Sequence, residues 1–292
     1  MKIAIYGRTF NTDFLVHIQQ VFNLLAEAGV EVHIYGPFLN FIDKCNQTTF
    51  KNLKKFETIE MFPEDISFLI SIGGDGTFLE AIPYALKNNI PVIGINSGRL
   101  GFLANISRDE IPGAFQAIFN KNYQVEYRSL LKFLSPENII GKQNFALNEI
   151  TLQKKGTSMI NIDAYLNDEF LNTYWTDGLI VSTATGSTAY SLSAGGPIVM
   201  PGSGNLILAP IASHNLTVRP IVIPDDLIIT LRATARQKQI QITADNRTVE
   251  INQPLELKIG KADIKLQMVK FPNNSFYATI RNKLMWGADK RN

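Results

Sequence analysis

The chain has 292 residues, 45% hydrophobic and 18% charged, which is enough for one large core or two ordinary ones, and its formal net charge is only +2. No basic stripe marks nucleic acid as the main partner, and no apolar stretch approaches the ~18 residues that span a bilayer. A single cysteine, Cys45, excludes an internal disulfide framework and fits a reducing cytoplasm, residues 1–8 are too short in apolar character for a signal peptide, and three scattered histidines (His17, His33, His214) argue against structural zinc.

The first third alternates strand and helix signals. Residues 2–6 predict a strand ending at Gly7. Phe14, Ile18, Val21, Phe22 and Leu25 recur at helical spacing and stop before Gly29. Residues 30–35 predict a second strand closed by Gly36-Pro37, and the apolar run 66–72 predicts a short buried one. A helix follows to about Leu86, with Thr77 and Glu80 at capping-box spacing, and then a strand over 91–96. Ser107 and Glu110 repeat the capping-box pattern ahead of a helix towards Phe119. This order predicts a Rossmann-like, mostly parallel sheet covered by helices over residues 1–122.

From Tyr123 the pattern turns to short alternating runs at 123–134, 145–152, 159–166, 179–182, 227–232, 239–243, 255–259 and 264–269. Asn167-Asp168 and Asp245-Asn246 fall where hairpin turns belong. Residues 123–271 therefore predict an all-β, sandwich-like domain. In the segment 272–292, Phe276, Ile280 and Leu284 share a helical face, so a terminal helix is expected to pack back on the first domain.

Three stretches carry chemistry. Gly73-Gly74-Asp75-Gly76-Thr77 sits between a buried strand and a helix N-terminus, where glycine admits close approach and free N–H groups point at phosphate. A carboxylate there repels phosphate unless it binds a metal ion or accepts a proton from an attacking hydroxyl. Asp next to Gly is also ordinary turn chemistry, so the string alone names no reaction. Six of the nine residues 183–191 carry a hydroxyl, suited to sugar, amide or phosphate, and Tyr190 adds a stacking face; taken alone this is equally a polar surface loop. Asn148-Glu149, in the run 145–152, suits an adenine edge beside a ribose diol, although adjacent strand residues reach one ligand only at a strand end or bulge. Trp175-Thr176-Asp177-Gly178 precedes the hydroxyl stretch and reads first as a turn.

Together these residues resemble the NAD kinase family from about residue 66 onward. Gly73 to Thr77 matches its glycine motif, Asn148-Glu149 its amide–carboxylate pair, and Asp177 to Ser191 its approach strand and hydroxyl-rich loop, with Gly195-Gly196-Pro197 beyond. Gly94-Ile95-Asn96, Leu100-Gly101-Phe102-Leu103, His214 and Arg219-Pro220 are further landmarks. The chain departs from the pattern at Ala184, where proline is usual, at Trp175, where many members are basic, and at Arg247, where some carry glutamine. The resemblance implies transfer of the γ-phosphoryl of ATP to the 2′-hydroxyl of the adenosine ribose of NAD, with Mg²⁺ or another divalent cation accompanying ATP. It implies Asp75 as the base, and Gly73, Gly74, Gly76 and Thr77 on the ATP phosphates. The dinucleotide would meet Asp75, Gly76, Asn148, Glu149, Trp175, Asp177, Thr188, Ala189, Tyr190, Ser191, Leu192, Ser193 and Arg247, and no protein side chain is assigned to the metal. Ligand residues from both domains imply a site in the cleft between them, in a homodimer or homotetramer. A lipid kinase of the diacylglycerol kinase type shares the glycine loop but should show a membrane-docking surface. A non-catalytic dinucleotide sensor would gain little from Asp75.

Overall fold

The computed structural model describes residues 1–45, 53–98, 101–272 and 275–287; Leu100 lies outside the described residues. The chain forms two compact units, Met1–Glu126 with Leu266–Asn292, and Tyr127–Lys265.

The first unit contains β1 (Lys2–Gly7), α1 (Leu15–Glu27), β2 (Glu31–Tyr35), α2 (Gly36–Cys45), β3 (Lys54–Phe56), β4 (Phe68–Gly73), α3 (Asp75–Asn88), β5 (Val92–Asn96) and α4 (Ile111–Phe119). Its strands are parallel in the order β3-β2-β1-β4-β5. Ile3, Ile5, Ile70 and Ile72 are fully buried in a core that includes Ile18, Val21 and Leu25 of α1. Burial of each such side chain contributes about 1.5–3 kcal/mol, which is why these strands read as unbroken apolar runs. Helix α1 ends where Gly29 takes the left-handed conformation at φ 63°, a stop that side chains disfavour. The direction of chain progression reverses between β1 and β4, and ligands of such sheets bind outside the carboxyl ends of the strands at that switch point. The glycine motif directly follows β4.

Two elements of this unit differ from expectation. Gly36-Pro37 does not merely close β2; it opens α2, because proline in a first helical turn forfeits no hydrogen bond. The short strand β3 adds an edge beside β2.

The second unit is a β-sandwich. Its strands are β6 (Gln124–Ser135), β7 (Phe145–Ala146), β8 (Glu149–Lys154), β9 (Ile160–Leu166), β10 (Glu169–Thr176) and β11 (Gly178–Thr183). After a short helix α5 (Tyr190–Ser193) come β12 (Asn205–Ile211), β13 (Ile221–Pro224), β14 (Ile229–Ala235), β15 (Gln239–Ala244), β16 (Arg247–Asn252) and β17 (Leu255–Lys270). One antiparallel sheet runs β10-β9-β14-β17, with β6 beside β17, and the other runs β13-β12-β11-β8-β15-β16. Ile162, Leu231 and Leu257 of the first meet Leu152, Val181, Leu208 and Ile242 of the second in one buried core. Both expected hairpin turns form. Asn167 and Asp168 have φ of 47° and 68°, and Asp245 has φ 52° between the paired residues Ala244 and Arg247.

Strands β10, β12, β13 and β16 were not anticipated, and the two runs at 255–259 and 264–269 are one strand of 16 residues. Near its end Met268 of β17 pairs in parallel with Val92 of β5, extending the first unit's sheet. The terminal helix α6 (Phe276–Leu284) also belongs to the first unit, as its apolar spacing predicted, with Phe276 beside Phe102 at 6.2 Å between ring centroids.

Candidate functional site

The first unit places Asp75 differently from the loop position expected. It is the first residue of α3, with Gly74 as N-cap, and the Thr77–Glu80 capping box does not form. Glu80 instead receives hydrogen bonds from Tyr6, near the end of β1, and from Arg8 just beyond it. Thr77 packs against Gly73 so closely that a Cβ there would overlap its side chain. Gly74 and Gly76 are exposed, and a Cβ on either would meet nothing within 4 Å. Their backbone therefore stands open beside N–H groups that have no intrahelical acceptor.

The Asp75 carboxylate turns back onto the segment after β5. Oδ2 accepts the Phe102 N–H at 2.9 Å, and Oδ1 accepts those of Leu103 and Ala104 at 3.0 Å each. Gly101 leaves room for this seat, since a Cβ there would overlap the carboxylate. Gly94, likewise, lies so close to Ala104 that no side chain fits. These landmarks are thus the mould around one acid.

The second unit gathers most of the remaining predicted residues. The run 145–152 is not one strand: it breaks at Leu147-Asn148 between β7 and β8, and Asp245 makes the break. Its carboxylate accepts the N–H groups of Leu147, Asn148 and Glu149 at 2.8, 2.8 and 3.2 Å. The hydroxyl-rich stretch is likewise no open loop but a 3₁₀ turn, Thr185–Thr188, followed by α5. Thr183, Ser187 and Ser191 are buried, and two of these hydroxyls serve the frame, Thr183 donating to the Leu147 carbonyl and Ser187 to that of Val199. Gly186 packs on the Asn148 carbonyl with no space for a Cβ, which locks the stretch onto the break. Thr188, Ala189 and Tyr190 remain at least partly accessible, and Tyr190 accepts a hydrogen bond from Gln153.

Two buried polar atoms in this gathering, Glu149 Oε2 and Ser191 Oγ, have no hydrogen-bond partner among the described residues. Such atoms cost about 1–3 kcal/mol each unless something pairs with them. Asp177 links β10 to β11 and is ion-paired with Lys154 at 2.6 Å. Trp175 is half exposed, its backbone held by Asn215 and His214. Arg247 stacks on Phe145 and donates to the carbonyls of Gln143 and Phe145, so its guanidinium is engaged with the backbone of the break.

Comparison with known proteins matches residues 15–123 to the ATP-NAD kinase N-terminal domain and residues 147–271 to the ATP-NAD kinase C-terminal domain. The chain is 46% identical to the NAD kinase of Flavobacterium johnsoniae over 295 residues, covering 100% of both chains. It belongs to the ATP-NAD kinase family. Another NAD kinase, that of Bacteroides fragilis, is 40% identical over 292 residues with the same full coverage. Among solved structures, an NAD kinase from Archaeoglobus fulgidus in complex with ATP superposes with a TM-score of 0.74 at 26% identity, covering 98% of this chain and 99% of that one. Yeast NADH kinase complexed with NADH shares the fold, with a TM-score of 0.85 at 22% identity over 99% of this chain and 89% of that one.

Two polar residues of this family member lay outside the sequence-based site. Asp245 was visible only as a turn residue, a role it also fills. Lys283, on α6, reaches Asp75 Oδ2 at 3.4 Å across 208 positions, and no local pattern announces such a contact.

Burial pushes the Glu149 carboxyl up to about 8, the nearby Asp245 carboxylate adds to the rise, and a hydrogen bond from the Tyr190 backbone opposes it. Asp245 is raised in the same direction by burial, against the three N–H groups that hold it down. Glu149 is therefore largely protonated at neutral pH and offers a donor as well as an acceptor. The folded state keeps a proton that the unfolded chain releases above about 4.5, so stability falls as pH rises from there through about 8. The permanently neutral variant Glu149→Gln should melt with the parent at pH 5. At pH 9 it should melt at least about 2–4 °C higher, the shift of ~1 kcal/mol in a chain of this size. Thermal melts of ligand-free protein read this directly, and equal offsets at both pH values would defeat the assignment.

Proposed function

We infer that this chain transfers the γ-phosphoryl group of ATP to the 2′-hydroxyl of the adenosine ribose of NAD, yielding NADP and ADP. The observation that carries the reading is Asp75: a carboxylate fixed by three N–H groups beside the open backbone of Gly74 and Gly76.

In this reading Gly73, Gly74, Gly76 and Thr77 hold the ATP phosphates at the N-terminus of α3, where the helix dipole favours negative charge. The 2′-oxygen attacks the γ-phosphorus in line, the bond to the β-phosphate oxygen breaks, and the hydroxyl proton passes to Asp75. The transition state is loose, so positioning and charge neutralisation supply most of the acceleration. Among the described residues no three His, Cys, Asp or Glu side chains gather into a metal cage. Mg²⁺ would accompany ATP, whose oxygens are ligands of the kind that ion prefers, and would supply charge neutralisation at the phosphates.

Asn148, Glu149, Thr188, Ala189, Tyr190, Ser191, Leu192 and Ser193 form the dinucleotide surface, with Trp175 beside it, Gly76 near the reacting hydroxyl and Asp177 towards the nicotinamide. The unpaired Glu149 Oε2 and Ser191 Oγ support this, as polar atoms a ribose or adenine would satisfy. Arg247 contributes by holding residues 143–145 behind Asn148. Assembly as a homodimer or homotetramer belongs to the same reading, supported by apolar side chains such as Phe170 and Val222 exposed on the β unit. So does a cytoplasmic location, which a chain with a single cysteine fits.

The test is NADP formation by purified protein from NAD and Mg–ATP, followed with an NADP-specific dehydrogenase. Turnover is expected with both substrates present and absent without either. Dinucleotide binding with no NADP formed would instead favour a sensor.

A further inference from the structure

Helix α6 buries none of its residues. Its apolar anchor is Phe276 beside Phe102, and about two turns further on Lys283 reaches the same ring. The Lys283 ammonium lies 4.6 Å from the Phe102 ring centroid and 3.4 Å from Asp75 Oδ2, the oxygen that also accepts the Phe102 N–H. The Lys283 side chain is about a third exposed, and its ammonium carries three donors. A helix this thinly packed adds little to the core, so the interaction it delivers at Asp75 is its most distinctive contribution.

We propose that Lys283 is a positioning residue of the phosphoryl-transfer centre, holding the Asp75 carboxylate in its seat on residues 102–104 through Oδ2. The inference rests on Asp75 as the reacting acid. The ammonium fixes the side of the carboxylate that the backbone leaves less constrained: Oδ1 has two N–H partners, Oδ2 one N–H and the lysine. The ring of Phe102 limits where the ammonium can sit, since a cation is held over an aromatic face. Because the pair is partly exposed, its effect on stability is small, and its value lies in geometry at the reacting atoms.

Five proteins decide it: the parent, Lys283→Met, Lys283→Arg, Asp75→Asn and the double variant Asp75→Asn/Lys283→Met. Lys283→Met should lose about 10–100-fold in kcat, the cost of misplacing a reacting group, while KM for NAD and for ATP moves less than ~3-fold and Tm stays within about 2 °C. Lys283→Arg should recover most of that loss, because charge and reach return. In the Asp75→Asn background, Lys283→Met should cost nothing further, as the lysine acts through the acid. Full turnover by Lys283→Met, a loss confined to KM, or a loss that arginine does not repair and that tracks a lower Tm would each overturn the proposal. An undiminished cost in the double variant would do the same. If Asp75→Asn turns over normally, the base assignment itself fails, a result distinct from a normal lysine variant beside an impaired aspartate variant.

Discussion

Asp75→Asn is expected to lower kcat by about 10²–10⁴-fold, the usual span for removing a general base, and to leave the fold intact. Asparagine is nearly isosteric and its carbonyl oxygen can still accept from the backbone, so part of the seat on Phe102, Leu103 and Ala104 survives. What disappears is the capacity to take the proton from the 2′-hydroxyl. KM for NAD should change little, because the dinucleotide surface lies mainly on other residues. Steady-state kinetics with NAD, together with a thermal melt, checks both halves of the expectation. Turnover within a few-fold of the parent would remove Asp75 from the mechanism.

Asp245→Ala is expected to damage both stability and dinucleotide binding, for one reason. Its carboxylate satisfies three successive N–H groups, those of Leu147, Asn148 and Glu149, at a break between strands. Unpaired buried donors cost about 1–3 kcal/mol each, while the burial penalty of the carboxyl is relieved, for a net loss of about 2–4 kcal/mol. In a chain of this size that lowers Tm by roughly 4–12 °C. The freed segment then loses the turn that presents Asn148 and Glu149 together, so NAD affinity should fall by about tenfold or more, a difference of ~1.4 kcal/mol. Asp245→Asn keeps an acceptor and should lose less on both counts. Melting within a degree of the parent, with unchanged NAD binding by calorimetry, would show that the break holds without the acid.

Both predictions concern carboxylates whose surroundings the sequence shows unevenly. The strands flanking the glycine motif were legible because both faces of a parallel sheet are buried, leaving Ile3, Ile5, Ile70 and Ile72 in uninterrupted apolar runs. Strand β10 was not, because a register shift between Phe170 and Asn172 spoils its alternation and both Phe170 and Trp175 are exposed. Helix α2 was hidden by reading proline as a terminator when its place in the first turn permits initiation. The motif around Asp75 was visible because glycines adjoin the acid in sequence. Its seat at Gly101–Ala104 appeared only as a landmark without a task, since what joins them is a fold. The hydroxyl-rich stretch was recognised as a unit, but composition cannot separate Ser187, spent on the Val199 carbonyl, from Thr188, left accessible.

The discontinuity of the first unit has a bearing on biosynthesis. Its sheet is completed by the end of β17, and its Asp75 station by α6, although residues 127–265 intervene. During translation, at roughly 5–20 residues per second, strands β1–β5 are therefore made well before the end of β17 that pairs with β5, and until then β5 is an open edge of the parallel sheet. Completion of the first unit is thus deferred until the residues that pair with β5 and bring Lys283 to Asp75 have been made, after the whole of 127–265.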